Sequence, residues 1–263
     1  MPIKIAPRAT ISDDFKLAMT AIYTAKLQQY QNQEKTLVRD PSRHSGFMRQ
    51  NGQSIAGLRA LLQDQGRIDM EYTRLRSLPY TKFEFVVREG YPYLYGLTKD
   101  VILDVVAPAL SVPHRRSARP VTPEPEIVIS TWDMGPYAVV IPVAFFGPIR
   151  LKYPDQPKTP RAFGAVQMIP MREKLSRNRT PHHYAEMPFV DGEPVSTNPL
   201  DMVSHICWGG FSSVVLACGD QCDIVETFRN IFIYLCRYNP DSPYVQGIGS
   251  DLTEKFSFAR QVS

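Results

Sequence analysis

The residues with the greatest capacity for chemistry lie late in the chain. Cys207 sits in His205-Ile-Cys-Trp-Gly-Gly210, between a short apolar stretch and a Gly-Gly turn that follows a long polar segment. A thiol in that setting can be exposed, and an exposed thiolate is a nucleophile. The competing reading is a small buried hydrophobe, the usual state of a free cysteine. Ahead of it, Thr180-Pro-His-His-Tyr184 carries His182 and His183, so the elements of a base near a thiolate are present, in the reverse order to a papain-like pair. Cys218, Cys222 and Cys236 form no Cys-x-x-Cys pair and meet no matched histidine pair, so core packing is expected and no metal site. Neither a Gly-x-Gly-x-x-Gly nor a Walker-type loop occurs, and no cofactor is expected.

The elements that must position these groups follow from periodicity. Ser12 to Leu37 opens with a cap-like Ser-Asp-Asp and has Phe15, Met19, Ile22 and Tyr23 at helical spacing. Ser54 to Gln65 reads as a second helix ended by Gly66, and Ile68 to Leu78 as a third stopped by Pro79. Strands are predicted at Lys82 to Val87, Tyr91 to Leu97 and Val101 to Val106. Further strands are predicted at Glu126 to Trp132, Tyr137 to Phe146, Ile149 to Tyr153 and Ala162 to Ile169. A β-meander is the simplest way to join them. Pro108 to Pro125 holds five prolines and reads as a long loop or insertion, and Pro170 to Pro199 as a long irregular segment. Asp220 to Tyr238 has Ile224, Phe228, Ile231, Phe232 and Leu235 on one helical face and ends at Asn239-Pro240.

Composition bounds the rest. The 263 residues are 43% hydrophobic and 21% charged, which excludes wholesale disorder. Proline, at 23 residues, is the outlier and concentrates between Pro108 and Pro199, where strands and turns are expected in place of helices. Thirty Lys+Arg against 26 Asp+Glu leave a net charge of +4, too small for a chain that coats nucleic acid. Short basic clusters at His114 to Arg119 and Arg172 to His183 read as solvated loops or as docking sites for an acidic protein. No apolar run reaches the roughly 18 to 20 residues of a membrane span, and the first residues lack the apolar core of a signal peptide. A cytoplasmic protein with reduced thiols is expected.

Read in order, a strand-rich segment from Ile149 to Ile169, Thr180-Pro-His-His-Tyr184, Ile206-Cys207, and a helix ending in Asn239-Pro-Asp-Ser-Pro-Tyr-Val245 resemble the ubiquitin-conjugating enzyme superfamily. That family has a His-Pro-Asn tripeptide, then its catalytic cysteine, and some thirty residues later an Asn-Pro-Asp-Asp-Pro-type turn. Cys207 and Asn239 are 32 positions apart, and the resemblance runs from Ile149 to Val245 and less closely from Lys82. Thr180 stands at the His position of the tripeptide, His182 at the Asn position, and Ser242 where many members have an aspartate. These departures, with a longer spacing before Cys207, suit a divergent prokaryotic or phage-associated branch, and a role in antiphage defence.

The resemblance implies an α+β protein: an antiparallel β-meander packed with helices over 79–263, a proline-rich insertion near 108–125, and a helical N-terminal extension over 1–78. It implies that Cys207 accepts a ubiquitin-like protein as a thioester from an activating enzyme and transfers it to an amine on a target protein. His182 would support the loop or bond the tetrahedral oxyanion, with Pro181 fixing its turn. His183 or His205 would lower the thiol pKa or take the amine's proton, and Asn239, Asp241 and Ser242 would border the cleft. The rival expectations are a non-catalytic binding module on the same fold and a β-rich viral or phage assembly protein. In each reading the partners are proteins, with no membrane and no nucleic acid.

Overall fold

The computed structural model describes residues 8–37, 45–88, 90–106, 128–146, 166–172, 177–179, 183–186, 189–190, 193–194, 203–206, 208, 211–237 and 260–262. Five α-helices and mostly antiparallel β-strands make up the described residues, a mixed α/β architecture. The chain divides into two compact units, each built from three stretches of sequence. The first comprises Met1–Lys99, Ala138–Gln167 and Gly210–Ile231; the second comprises Asp100–Tyr137, Met168–Gly209 and Phe232–Ser263.

In the first unit, β1 (Thr10–Ile11) leads into α1 (Asp13–Leu37). Ser12 caps this helix: its hydroxyl oxygen accepts from the Phe15 amide at 3.2 Å, and Asp13 and Asp14 place negative charge at the positive end of the helix dipole. Phe15, Met19, Ile22 and Tyr23 recur at helical spacing and are buried. Lys26 extends the same stripe and is also buried, its ammonium 4.9 Å from the Tyr30 ring centroid. The next helix, α2 (Ser45–Gln63), starts nine residues earlier than the pattern predicts. Gly66 does not end it. Asp64 breaks the run by accepting from the Gly66 amide at 2.9 Å, which caps α3 (Gln65–Arg76) and puts the glycine in the first turn of a new helix.

The chain then enters β2 (Tyr80–Arg88) and returns along β3 (Tyr91–Thr98), with Gly90 at φ +81° in the hairpin turn. Next in order are β4 (Val101–Val106), β5 (Val128–Gly135) and β6 (Tyr137–Pro142). β3 does not pair with β4. Its other neighbour is β6, with Leu94 opposite Ile141 and Leu97 opposite Ala138, so the unit-one strands run in the order β1-β2-β3-β6. The expected consecutive meander is therefore replaced by a sheet whose third and fourth strands are separated in sequence by the β4–β5 pair. β6 is buried at all six positions, so it forms at the sheet's interior and not at a solvent-facing edge.

Four rings join these parts. Tyr80 and Phe83 of β2, Phe15 of α1 and Phe228 have centroids 4.9 to 6.1 Å apart, and the Tyr80 hydroxyl donates to the Phe228 carbonyl at 2.9 Å. Phe228 belongs to α5 (Ile224–Leu235), which follows α4 (Phe211–Gln221). The predicted single helix from Asp220 thus becomes two. Cys222 takes a left-handed φ of 58°, its amide donating to the Gly219 carbonyl and the Asp223 amide to the Cys218 carbonyl, which closes α4. Asp223 then caps α5 through the Glu226 amide at 2.9 Å, while Glu226 pairs with Arg74 of α3. The helical N-terminal segment and the β2–β3 hairpin consequently share one unit and one core.

The second unit holds β4 and β5 in antiparallel register, with Val101, Leu103, Trp132 and Met134 buried and Ile102 exposed, the alternation of a strand with one wet face. After β7 (Gln167–Pro170), Arg172 clasps Asp133, one nitrogen donating to the carboxylate at 2.6 Å and another to the backbone carbonyl at 2.7 Å. The second Asp133 oxygen accepts from Gly135, whose φ of +74° and proximity to Arg172 leave no room for a Cβ. Against the expectation of an irregular segment, four strands fall between Pro170 and Pro199: β8 (Arg177–Arg179), β9 (His183–Glu186), β10 (Phe189–Val190) and β11 (Glu193–Pro194). The intervening Asp191-Gly192 is a dipeptide that two-residue hairpins favour. β12 (Val203–Ile206) completes a three-stranded sheet in the order β12-β9-β8, and β13 (Arg260–Gln261) adds to β5. The expected strand over Ile149–Tyr153 and the proline-rich stretch 108–125 lie outside the described residues.

The tightest point of the first core gives a test. A methyl group at Gly96 would lie 2.8 Å from the Phe228 ring and 2.9 Å from the Tyr80 ring, both held by neighbours that cannot retreat far. Gly96→Ala is expected to destabilise the protein by about 1 to 3 kcal/mol, read as a lowered urea midpoint at unchanged slope. Gly57→Ala, on an open stretch of α2, is the matched control and should match or exceed the wild-type midpoint.

Candidate functional site

Pairing of β9 with β12 brings together two segments that are twenty residues apart in sequence. His183 is opposite Ile206 and Tyr184 is opposite His205, in an unbroken antiparallel register that continues to Glu186 and Val203. One predicted site residue, His183, is thereby set beside the residue that immediately precedes Cys207. His205 falls one position away, on the other face of the sheet by strand alternation.

Cys207 lies outside the described residues, as do Pro181, His182, Asn239, Asp241 and Ser242. The two chain neighbours of Cys207 are described. Ile206 ends β12 and is half-buried; Trp208 is buried, its ring 5.1 Å from that of Tyr234 on α5 at an interplanar angle of 35°. Aromatic packing on one side and strand pairing on the other anchor the chain at both ends of this single-residue step. Sequence reading singled out Cys207 and missed Trp208, although a tryptophan directly after the cysteine, followed by two glycines, was a signal for such an anchor.

The other three thiols have environments that suppress nucleophilicity. Burial pushes Cys222 up to about 11, with the Lys26 charge acting in the opposite direction, and its sulfur lies 3.2 Å from the Phe146 carbonyl. Burial likewise raises Cys236 to about 11. Cys218 is raised by burial and by the carboxylates of Asp223 and Glu226. Such thiols stay protonated at neutral pH and pack as small apolar groups. Among the described residues no cluster of three metal-ligating side chains occurs, and no helix is long and apolar enough to cross a membrane.

Asp133 sets the electrostatics of the strand pair in the same unit. Its partial burial opposes ionisation, but the Arg172 hydrogen bond, the Gly135 amide and the charges of Arg172 and Arg260 together hold its carboxyl below the usual range. This contribution to stability is present above the unfolded carboxylate pKa and is lost as pH falls through the lower folded value.

Thiol chemistry should separate these groups. With a haloacetamide at pH 7.5, peptide mapping of the folded protein is expected to show Cys218, Cys222 and Cys236 unmodified while urea-unfolded protein labels fully. Labelling of Cys222 or Cys236 in the native state at the unfolded rate is the contrary result. Because the folded protein retains protons at Cys222 and Cys236 that the unfolded chain loses from 9.0 upward, their stabilisation is complete below that value. It disappears as pH approaches about 11, so the urea midpoint should fall across that interval.

Compared with protein-family models, curated proteins and solved structures, the chain matches none.

Proposed function

We propose that this protein is a cysteine-based acyl carrier that accepts the C-terminal acyl group of a ubiquitin-like protein on Cys207 and passes it to an amine of a target protein. The observation that supports the reading is the β9–β12 register, in which His183 is paired with Ile206 next to the cysteine. The support is local. The sheet order β1-β2-β3-β6 departs from the consecutive meander of conjugating enzymes, so the reading rests on the cysteine segment and its sequence context and not on the sheet.

The chemistry asks little of the protein beyond position. The Cys207 thiolate attacks the carbonyl carbon of the acyl group held on an activating enzyme's thiol; a new S–C bond forms and the first thiolate leaves. An amine of the target then attacks the same carbon, the N–C bond forms, the Cys207 thiolate departs, and the amine's proton passes to a base. His183 is the candidate base, with His205 as its neighbour across the ladder, and His182 and Pro181 serve the oxyanion and the turn that holds it. Asn239, Asp241 and Ser242 border the cleft in this reading. A reducing cytoplasm keeps Cys207 a thiol.

The test is intact mass after incubation with ATP, an activating enzyme and a ubiquitin-like protein. A reductant-sensitive adduct is expected, absent in Cys207→Ala. His183→Gln should still form the adduct but release it to amines roughly a hundredfold more slowly, with the loss greatest near neutral pH. No adduct from an activating enzyme shown to be charged would reject the carrier mechanism in favour of a non-catalytic protein-binding module.

A further inference from the structure

The three-stranded sheet β12-β9-β8 has a basic edge. β8 pairs with β9 on one side, Arg177 opposite Glu186, Asn178 opposite Ala185 and Arg179 opposite Tyr184; among the described residues no strand pairs with its other side. Strand alternation puts Arg177 and Arg179 at positions of one face. Continuing across the sheet, the Arg179 row runs through Tyr184 to His205 and carries no carboxylate on any of its three strands, whereas the Arg177 row meets Glu186. The surrounding sequence reinforces the charge: from Arg172 to His183 there are four Lys or Arg residues against the single acid Glu173.

An open edge displays backbone donors and acceptors at strand spacing, and a chain that docks there must be extended. Residues of the incoming strand that fall on the Arg177 and Arg179 face are two apart, so the complementary sequence has acidic residues at alternate positions. We infer that the outer edge of β8 captures an extended acidic segment of a partner protein, adding it as a fourth strand with its carboxylates in register with Arg177 and Arg179. The inference is independent of the chemistry at Cys207. Where both hold, the captured segment lies two strands, or roughly 10 Å, from β12, and the target of acyl transfer is a protein whose acceptor amine borders an acidic extended run.

The probe is a fluorescein-labelled decapeptide of alternating glutamate and threonine, titrated into the full chain and followed by anisotropy; no activating enzyme is needed. Binding is expected to weaken at least about tenfold in Arg177→Glu/Arg179→Glu and with rising salt, and to be restored in large part by Arg177→Lys/Arg179→Lys. A decapeptide of the same sequence with N-methylated amides should bind at least about tenfold more weakly, because it cannot pair as a strand. Hydrogen exchange supplies a second readout. The amides of 177–179 should include fast-exchanging positions in the free protein that slow when the peptide is added. Equal affinity of the charge-reversed variant, equal affinity of the N-methylated peptide, absence of binding, or full protection of 177–179 before peptide is added would each overturn the inference. The Cys207→Ala protein should bind the decapeptide as the wild type does, which separates failure of this edge from failure of the thioester mechanism.

Discussion

The first unit depends on one aromatic contact: the edge of Phe228 against Tyr80 and Phe83, closed by the Tyr80 hydroxyl on the Phe228 carbonyl. Each ring comes from an element that could not bury its apolar face alone. α1 brings Phe15, β2 brings Tyr80 and Phe83, and α5 brings Phe228, while β3 supplies only the hydrogen atom of Gly96 at the closest point. The glycine is therefore a packing requirement in the middle of a strand, where its entropy and lack of side chain would otherwise weaken the sheet. Around this cluster the polar connections are consistent with it: Asp223 caps α5, and Glu226 in the first turn reaches Arg74, so the helix that carries Phe228 is held in orientation as well as in depth.

Local pattern revealed the elements better than their pairing. Val101 to Val106 has the predicted bounds, and the helix beginning at the Ser12 cap has the predicted apolar stripe, because caps and periodicity are properties of a few adjacent residues. Strand partners are set by which apolar faces must be covered. β6 is apolar along its whole length and needs cover on both faces, whereas β4 alternates and tolerates a wet face, and nothing in either strand's own sequence names β3 as the neighbour of β6. Gly66 and Cys222 failed as guides for a related reason. Glycine usually ends helices and cysteine rarely adopts a left-handed φ, but here Asp64 and the burial of the Cys222 sulfur against Phe146 decide where the helices break.

At the candidate site, sequence supplied residue types and order, and the fold supplied one juxtaposition. His183 and Ile206 are adjacent only because β9 and β12 pair antiparallel, a relation that no motif spacing encodes. The tryptophan after the cysteine belongs to the same lesson: its importance comes from Tyr234, twenty-six positions later in the chain. The chemical inertness of the other three cysteines is also a tertiary property, since the same residue type becomes a packing group where burial opposes its ionised form.

The discontinuity of the first unit has a consequence for biosynthesis. Tyr80 and the Phe228 carbonyl that receives its hydrogen bond are 148 residues apart. At a translation rate of roughly 5–20 residues per second, about 7 to 30 seconds separate the synthesis of the two partners. Throughout that interval α1 and the β2–β3 hairpin carry Phe15, Tyr80 and Phe83 without the ring that covers them. The nascent chain thus presents an aromatic surface that a holding chaperone can occupy until α5 is made, and the order of synthesis, more than the final stability, sets when this unit becomes safe from aggregation.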